Sequence, residues 1–258
     1  MSSAISNGLN LKQLKVFTVA NLKSRYRNTF YGFAWVILNP ILTYLVQVFA
    51  FTTLFQVRFP NYPVYLFAGL FPWIFILQSV EMCTGVFLYN FHIIKNYPIN
   101  PSLLIWVQVL DNFINFFSAF LIVLVYFLAT QKIGLTALAY CLLPAIFLFA
   151  AVVSMGTLFA ILNIRYRDMK FIVSFVFSLL FYLTPIFYSI RMIGEKARLY
   201  LEFNPIYILI KPFQEALMGF PPEEIWKATL NSFFVSTFLI VLSFVTWKKM
   251  KDYVVLYA

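Results

Sequence analysis

An all-α, polytopic membrane protein with six transmembrane helices is the fold class this sequence predicts, and three observations carry that expectation. Hydrophobic residues fill 62% of the 258 positions and charged residues only 11%, with a mean hydropathy of +0.86. A water-soluble domain carries about 25% charged residues, so a soluble enzyme, a disordered chain and a disulfide scaffold are all excluded. Charges are also separated by gaps long enough to cross a bilayer. Finally, the apolar runs inside those gaps are continuous and do not alternate every second residue, which favours helices over a β-barrel. Residues 1–258 read as a single transmembrane domain.

The elements follow from the charge map. Roughly 20 apolar residues, at 1.5 Å rise each, cross a hydrocarbon core about 30 Å thick. Gaps of that length run from Arg27 to Arg58, Arg58 to Glu81, Asp111 to Lys132, Lys132 to Arg165, Lys170 to Arg191 and Lys227 to Lys248. They place spans near 32–56, 62–82, 103–129, 135–163, 171–190 and 228–247. Ahead of the first span, residues 8–28 interleave Leu9, Leu14, Phe17, Val19 and Leu22 with Lys12, Lys15, Lys23 and Arg25. That is the pattern of an amphipathic helix lying in the membrane interface, and no cleavable signal peptide is expected there. Residues 84–100 join the second and third spans. Between the fifth and sixth, residues 191–227 mix Ile193, Leu199, Ile206 and Phe213 with Pro205, Pro212, Pro221 and Pro222. Short broken helices are expected there, re-entering as a gate segment, because unwound backbone at membrane depth must be buried in protein.

Six spans put both termini on one side. Twelve basic residues collect on that side, at the N-terminus, at Lys95, in the turn Arg165–Lys170 and in the tail Lys248–Lys251. The opposite side has Arg58, Lys132 and five more in 191–227, which Glu195, Glu202, Glu215, Glu223 and Glu224 offset. The positive-inside rule makes the twelve-residue side cytoplasmic. The net charge of +10 then needs no nucleic-acid partner, since orientation and anionic lipid headgroups account for it. Cys83 and Cys141 fall near opposite membrane faces and read as packing residues.

Polar residues inside the spans are the informative ones. On the first span Asn39, Thr43 and Gln47 recur every four residues; on the fifth, Ser174, Ser178, Tyr182, Pro185 and Ser189 share one stripe. Such stripes can line a wet path or pack against neighbouring helices. On the sixth, Ser232, Ser236 and Ser243 fit packing better. Asp111 and Glu81 lie near the cytoplasmic ends of spans, where interface solvation or salt bridging suits them better than an ion relay. Lone His92 has no partners for a metal site. No phosphate-binding loop, His-Glu-x-x-His or G-x-S-x-G motif occurs, so no catalytic residue and no cofactor are expected on this chain.

One stretch is more specific. Arg25-Tyr-Arg27-Asn-Thr-Phe-Tyr31-Gly32-Phe-Ala-Trp35-Val-Ile-Leu-Asn39-Pro40 resembles the start of the membrane subunits of type-2 ABC exporters, above all the polysaccharide and polyol exporters. It departs at Tyr31, where that family commonly has Leu. Asn90-Phe91-His92-Ile93-Ile94-Lys95-Asn-Tyr97-Pro98 is similar to the family's loop after the second span. The turn Arg165-Tyr-Arg167-Asp168, the run Phe181-Tyr182-Leu-Thr184-Pro185-Ile-Phe-Tyr188, Asn204-Pro205 and Glu215-Ala-Leu-Met-Gly219 follow in the family's order. Gln214 stands where the family usually has Arg.

The resemblance implies a homodimer of this chain with two ABC ATPase subunits, which bind the ATP and Mg. It implies that Asn90, Phe91, His92, Ile93, Ile94 and Lys95 form a coupling helix docking into the ATPase. The path would lie between the two membrane subunits, lined by the first and fifth spans. Rings that could stack on sugars there are Tyr31, Trp35, Tyr44, Phe181, Tyr182 and Tyr188, beside Asn39, Thr43, Gln47, Ser174 and Ser178. Arg25 and Arg27 can hold headgroup phosphates, with Tyr31 and Trp35 as interface anchors. The expected function is ATP-driven export of a lipid-linked polysaccharide, such as an O-antigen, across the inner membrane of a bacterium. The alternatives are an exporter subunit for drugs or lipids, and a passive channel or scaffold.

Overall fold

The computed structural model describes residues 11–25, 34–57, 59–97, 99–130, 132–190 and 193–257. Arg27 and Tyr31 lie outside the described residues, as does Leu9. Every regular element among the described residues is helical: α1 (Leu11–Arg25), α2 (Ala34–Phe49), α3 (Tyr62–Thr84), α4 (Val86–Tyr89), α5 (Phe91–Asn96), α6 (Ser102–Ala129), α7 (Thr136–Arg165), α8 (Met169–Leu183), α9 (Glu195–Glu202), α10 (Pro205–Leu217) and α11 (Pro222–Tyr257). A π-helical turn, Ala50–Leu54, extends α2. Among the described residues five helices are long and apolar enough to cross a membrane, within α2 and its extension, α3, α6, α7 and α11. The chain is a multi-pass membrane protein.

The predicted fifth span is the one that differs. α8 is only 15 residues, about 22 Å at 1.5 Å per residue, shorter than the predicted 171–190. It stops at Leu183 because Pro185 follows: Thr184 adopts the extended conformation (φ −98°, ψ 131°), as a residue before proline prefers. The chain then runs unwound to Ser189.

α3 sits at the centre, packed against α2, α6, α7, α8 and α10. Its rings anchor an aromatic core: Phe67 stacks on Phe120 at 4.7 Å and Phe75 on Phe116 at 5.3 Å. Where helices must approach closely the side chains are small. A Cβ on Gly156 of α7 would meet the Cys83 Cβ at 2.9 Å. Cys83 and Cys141 are both buried and unbridged, in line with packing roles. Ser232, Ser236 and Ser243 are likewise buried along α11, and Ser232 Oγ donates to the Ile208 carbonyl of α10 at 2.6 Å.

α1 shows a mixed surface where a two-faced interface helix was expected. Leu14, Phe17 and Leu22 turn inward, but Leu11, Val16 and Val19 are exposed among the lysines. Its docking is polar: Asn21 Nδ2 donates to Asp111 Oδ2 at 3.0 Å and to Gln108 Oε1 at 3.3 Å on α6. Asp111 is fully buried, which replaces the solvated interface position expected for it. A carboxylate at this depth is tolerable because α1 supplies a donor.

In the 191–227 segment α9 is exposed, whereas α10 inserts between α3, α7 and α11 with ten of its thirteen residues buried. The sequence explains its ends. Asn204 Oδ1 accepts the amides of Ile206 and Tyr207, Pro205 occupies the first helical position, and both are favoured there. Gly219 closes the other end at φ +72°, with Phe220 N donating to the Glu215 carbonyl, a turn that favours glycine.

Candidate functional site

Of the helices that leave apolar faces exposed, α2 and α8 carry the predicted polar stripes. On α2, Trp35, Asn39 and Thr43 are exposed and Gln47 is half-buried, so the predicted stripe faces outward. Tyr44 does not share it. Tyr44 is 5% exposed, its hydroxyl donates to the Pro63 carbonyl at 2.9 Å, and its ring meets Phe67 and Phe71 edge-on. One residue is a 100° turn on a helix, enough to carry Tyr44 from the stripe into the core. On α8, Ser174, Ser178 and Tyr182 are exposed, Tyr182 at 72%. Thr43 Oγ1 donates to the Asn39 carbonyl and Ser178 Oγ to the Ser174 carbonyl. These hydroxyls have spent their donors within the helix and offer outward lone pairs.

A crevice of about 230 Å³ separates α8 from α3, lined by Trp73, Leu77, Glu81, Phe177, Ser178, Phe181 and Tyr182. Phe181 is half-buried over it, 5.5 Å from Trp73 and 4.8 Å from Phe187. Tyr188 is half-buried, and its hydroxyl donates back to the Tyr182 carbonyl at 2.9 Å.

Above α8 the unwound backbone is held by Tyr62 and Tyr65, which no sequence motif marks, and by Gln214 and Asn204. Tyr65 Oη donates to the carbonyls of Pro185 and Tyr188 at 3.0 and 2.9 Å, and Tyr62 Oη to that of Phe187 at 3.1 Å. Gln214 Nε2 donates to the Pro185 carbonyl at 2.8 Å, and Asn204 Nδ2 to Thr184 Oγ1 at 3.0 Å. Unwound backbone away from water needs such partners. The Gln214 that replaces the family's usual Arg thus serves as a backbone clamp. Gly69 makes room for it: a Cβ there would lie 2.8 Å from Gln214 Nε2. The signal that could have revealed the clamp was Tyr62 and Tyr65, three residues apart on one face of a span.

At the opposite end, the predicted coupling loop holds α4 and α5. His92 and Lys95 are exposed, Asn90, Phe91 and Ile93 half-buried, and Ile94 buried. The α4–α5 turn touches the base of α8 through Lys170, whose Nζ donates to Tyr89 Oη at 2.8 Å. That contact pushes the lysine's pKa above its ordinary value. Arg25 closes α1 at this same end of the bundle.

Comparison with known proteins agrees with this architecture. The chain is 30% identical over 207 residues to an O-antigen export system permease protein RfbA of Klebsiella pneumoniae, covering 80% of each. It is 30% identical over 195 residues to an RfbA of Myxococcus xanthus, covering 75% of each. To the polysialic acid transport protein KpsM of Escherichia coli it is 22% identical over 227 residues, covering 86% of this chain and 88% of that one. Residues 12–218 match the ABC-2 type transporter family, and with most of its length so matched, the chain belongs to that family.

Proposed function

We propose that this chain is the membrane subunit of an ATP-driven exporter that carries a lipid-linked, O-antigen-like polysaccharide across the cytoplasmic membrane of a bacterium, with both termini in the cytoplasm. Two copies of the chain and two ATPase subunits make the working unit, and the ATPases hold the ATP and Mg. The observation that carries the reading is the exposed pair of faces on α2 and α8. Each combines rings (Trp35, Tyr182) with hydroxyls or amides (Asn39, Thr43, Ser174, Ser178), and all six residues are exposed among the described residues. Set against a second copy, such faces suit a sliding glycan: rings meet the apolar C–H faces of sugars, and hydroxyl lone pairs meet their O–H groups. The names of the relatives point to the same cargo class.

The test is export in cells lacking the chromosomal gene. Alanine at both Trp35 and Tyr182 is expected to reduce surface polysaccharide at least about tenfold, the effect of losing about 1.4 kcal/mol, while the protein still reaches the membrane. Undiminished export in that variant would sink the aromatic path. Proline at Ile93, which breaks α5, is expected to abolish export while the complex keeps its basal ATP hydrolysis. Export that survived it would remove α5 from the coupling role.

A further inference from the structure

α3 has a second cavity on its other side. Between α2, α3 and α6 lies a space of about 390 Å³, in the half of the bundle that carries α1 and the α4–α5 turn. Trp35 and Asn39 of α2, both exposed, stand at its mouth, and Asn112 and Asn115 of α6 form its back. Phe75 and Gln78 of α3 line the wall between them.

The lining is unusual for membrane depth. It carries four amide side chains and no charged side chain among its described residues. Asp111, next to Asn112 in sequence, turns to Asn21 of α1 instead. Asn115 is 8% exposed, and its Oδ1 is buried with no hydrogen-bond partner among the described residues. A buried amide oxygen of this kind destabilises the protein unless something meets it. Beside it, the Phe75 and Phe116 rings stack at 5.3 Å with 26° between their planes, making a flat apolar wall.

These features select a ligand. An acyl chain would match the rings and strand the amides; a phosphate would meet no cation among the described lining residues. A neutral ring with apolar faces and a hydrogen-bonding rim satisfies both surfaces at once. We propose that this cavity binds one uncharged sugar ring of a membrane-anchored glycolipid. Trp35 and Asn39 belong both to its mouth and to the exposed α2 face, so the cavity opens directly onto that face. That the ring belongs to transported cargo rests on the export function proposed above; a resident bilayer glycolipid would present the same chemistry.

The test uses the full chain in phosphatidylcholine nanodiscs, read by its thermal unfolding midpoint. The probes are polyprenyl-phosphate N-acetylglucosamine, monoglucosyl diacylglycerol and the same diacylglycerol without sugar. A ligand that binds only the folded state raises the midpoint with dose. The sugar-bearing lipids are expected to do so and the plain diacylglycerol is not. Asn115→Leu is expected to abolish the rise while leaving the unliganded midpoint unchanged or higher, because it replaces a buried, unpartnered amide oxygen by an apolar group of similar size. Asn39→Leu, at the exposed mouth, is expected to weaken the response about tenfold without touching the core. A response to the polyprenyl lipid alone supports a cargo site, and a response to both sugar lipids supports a general site for neutral sugars. An equal shift from plain diacylglycerol, or a sugar response that survives both substitutions, overturns the proposal. Neither cellular export nor an ATPase enters this measurement, so its outcome is independent of whether the export function holds.

Discussion

Two neighbouring spans of this protein have the same hydropathy and opposite fates. Residues 37–54, in α2 and its extension, and Tyr62–Thr84 of α3 both average 1.6, yet 6% of the first window and 78% of the second are buried. Hydropathy reports that a segment tolerates lipid; side-chain size decides what else it can touch. α3 places Gly69 and Cys83 at its contacts, so α10 and α7 approach closely, as small residues allow in membrane bundles. The exposed side of α2 is built from Leu42, Leu45, Val46 and Phe49, which suit lipid or a second copy.

Substitutions can break or sharpen this contrast. Phe67→Ala in α3, at 0% exposure and stacked on Phe120, is expected to cost about 3–5 kcal/mol, seen as a collapse of the monodisperse peak in detergent. Tyr65→Phe removes the donor to two carbonyls but no volume. It should cost about 1–3 kcal/mol, measurable as a lowered unfolding midpoint with the oligomeric state preserved. Smallest is Val46→Ala on α2, at 64% exposure, expected within about 0.5 kcal/mol in the isolated chain. A larger cost for Val46→Ala in the assembled complex than in the isolated chain would identify α2 as an interface between subunits. A cost matching that of Phe67→Ala in the isolated chain would erase the distinction between the two helices.

The long spans were legible because charges punctuate them: Lys132 falls between α6 and α7, and Arg165 ends α7. So was the pair of broken helices after α8, through Pro205 and the spread of apolar residues. The cut at Leu183 was less so, because the charge gap runs on to Arg191 and only Pro185 marks the break. Tyr44 shows the limit at the site: its type suits a path, and only its angle about the helix puts it in the core. The Asn21–Asp111 bond joins residues 90 apart, a pairing that no local pattern encodes. The clamp on residues 184–188 was hidden for the same reason, its donors lying about 120 and 30 positions away.

The two ends of α8 are fastened very differently. Its upper end continues into a segment gripped by buried donors from α3 and α10, whereas its base is joined to α4 through one exposed bond, Lys170 to Tyr89. A rod held this way has its fulcrum at the top. A nudge delivered to the α4–α5 turn would swing the foot of α8 through the wider arc and leave the upper end nearly still. The Ser174 end of the exposed face would travel farther than Tyr182, so the opening would widen from the α4–α5 end first.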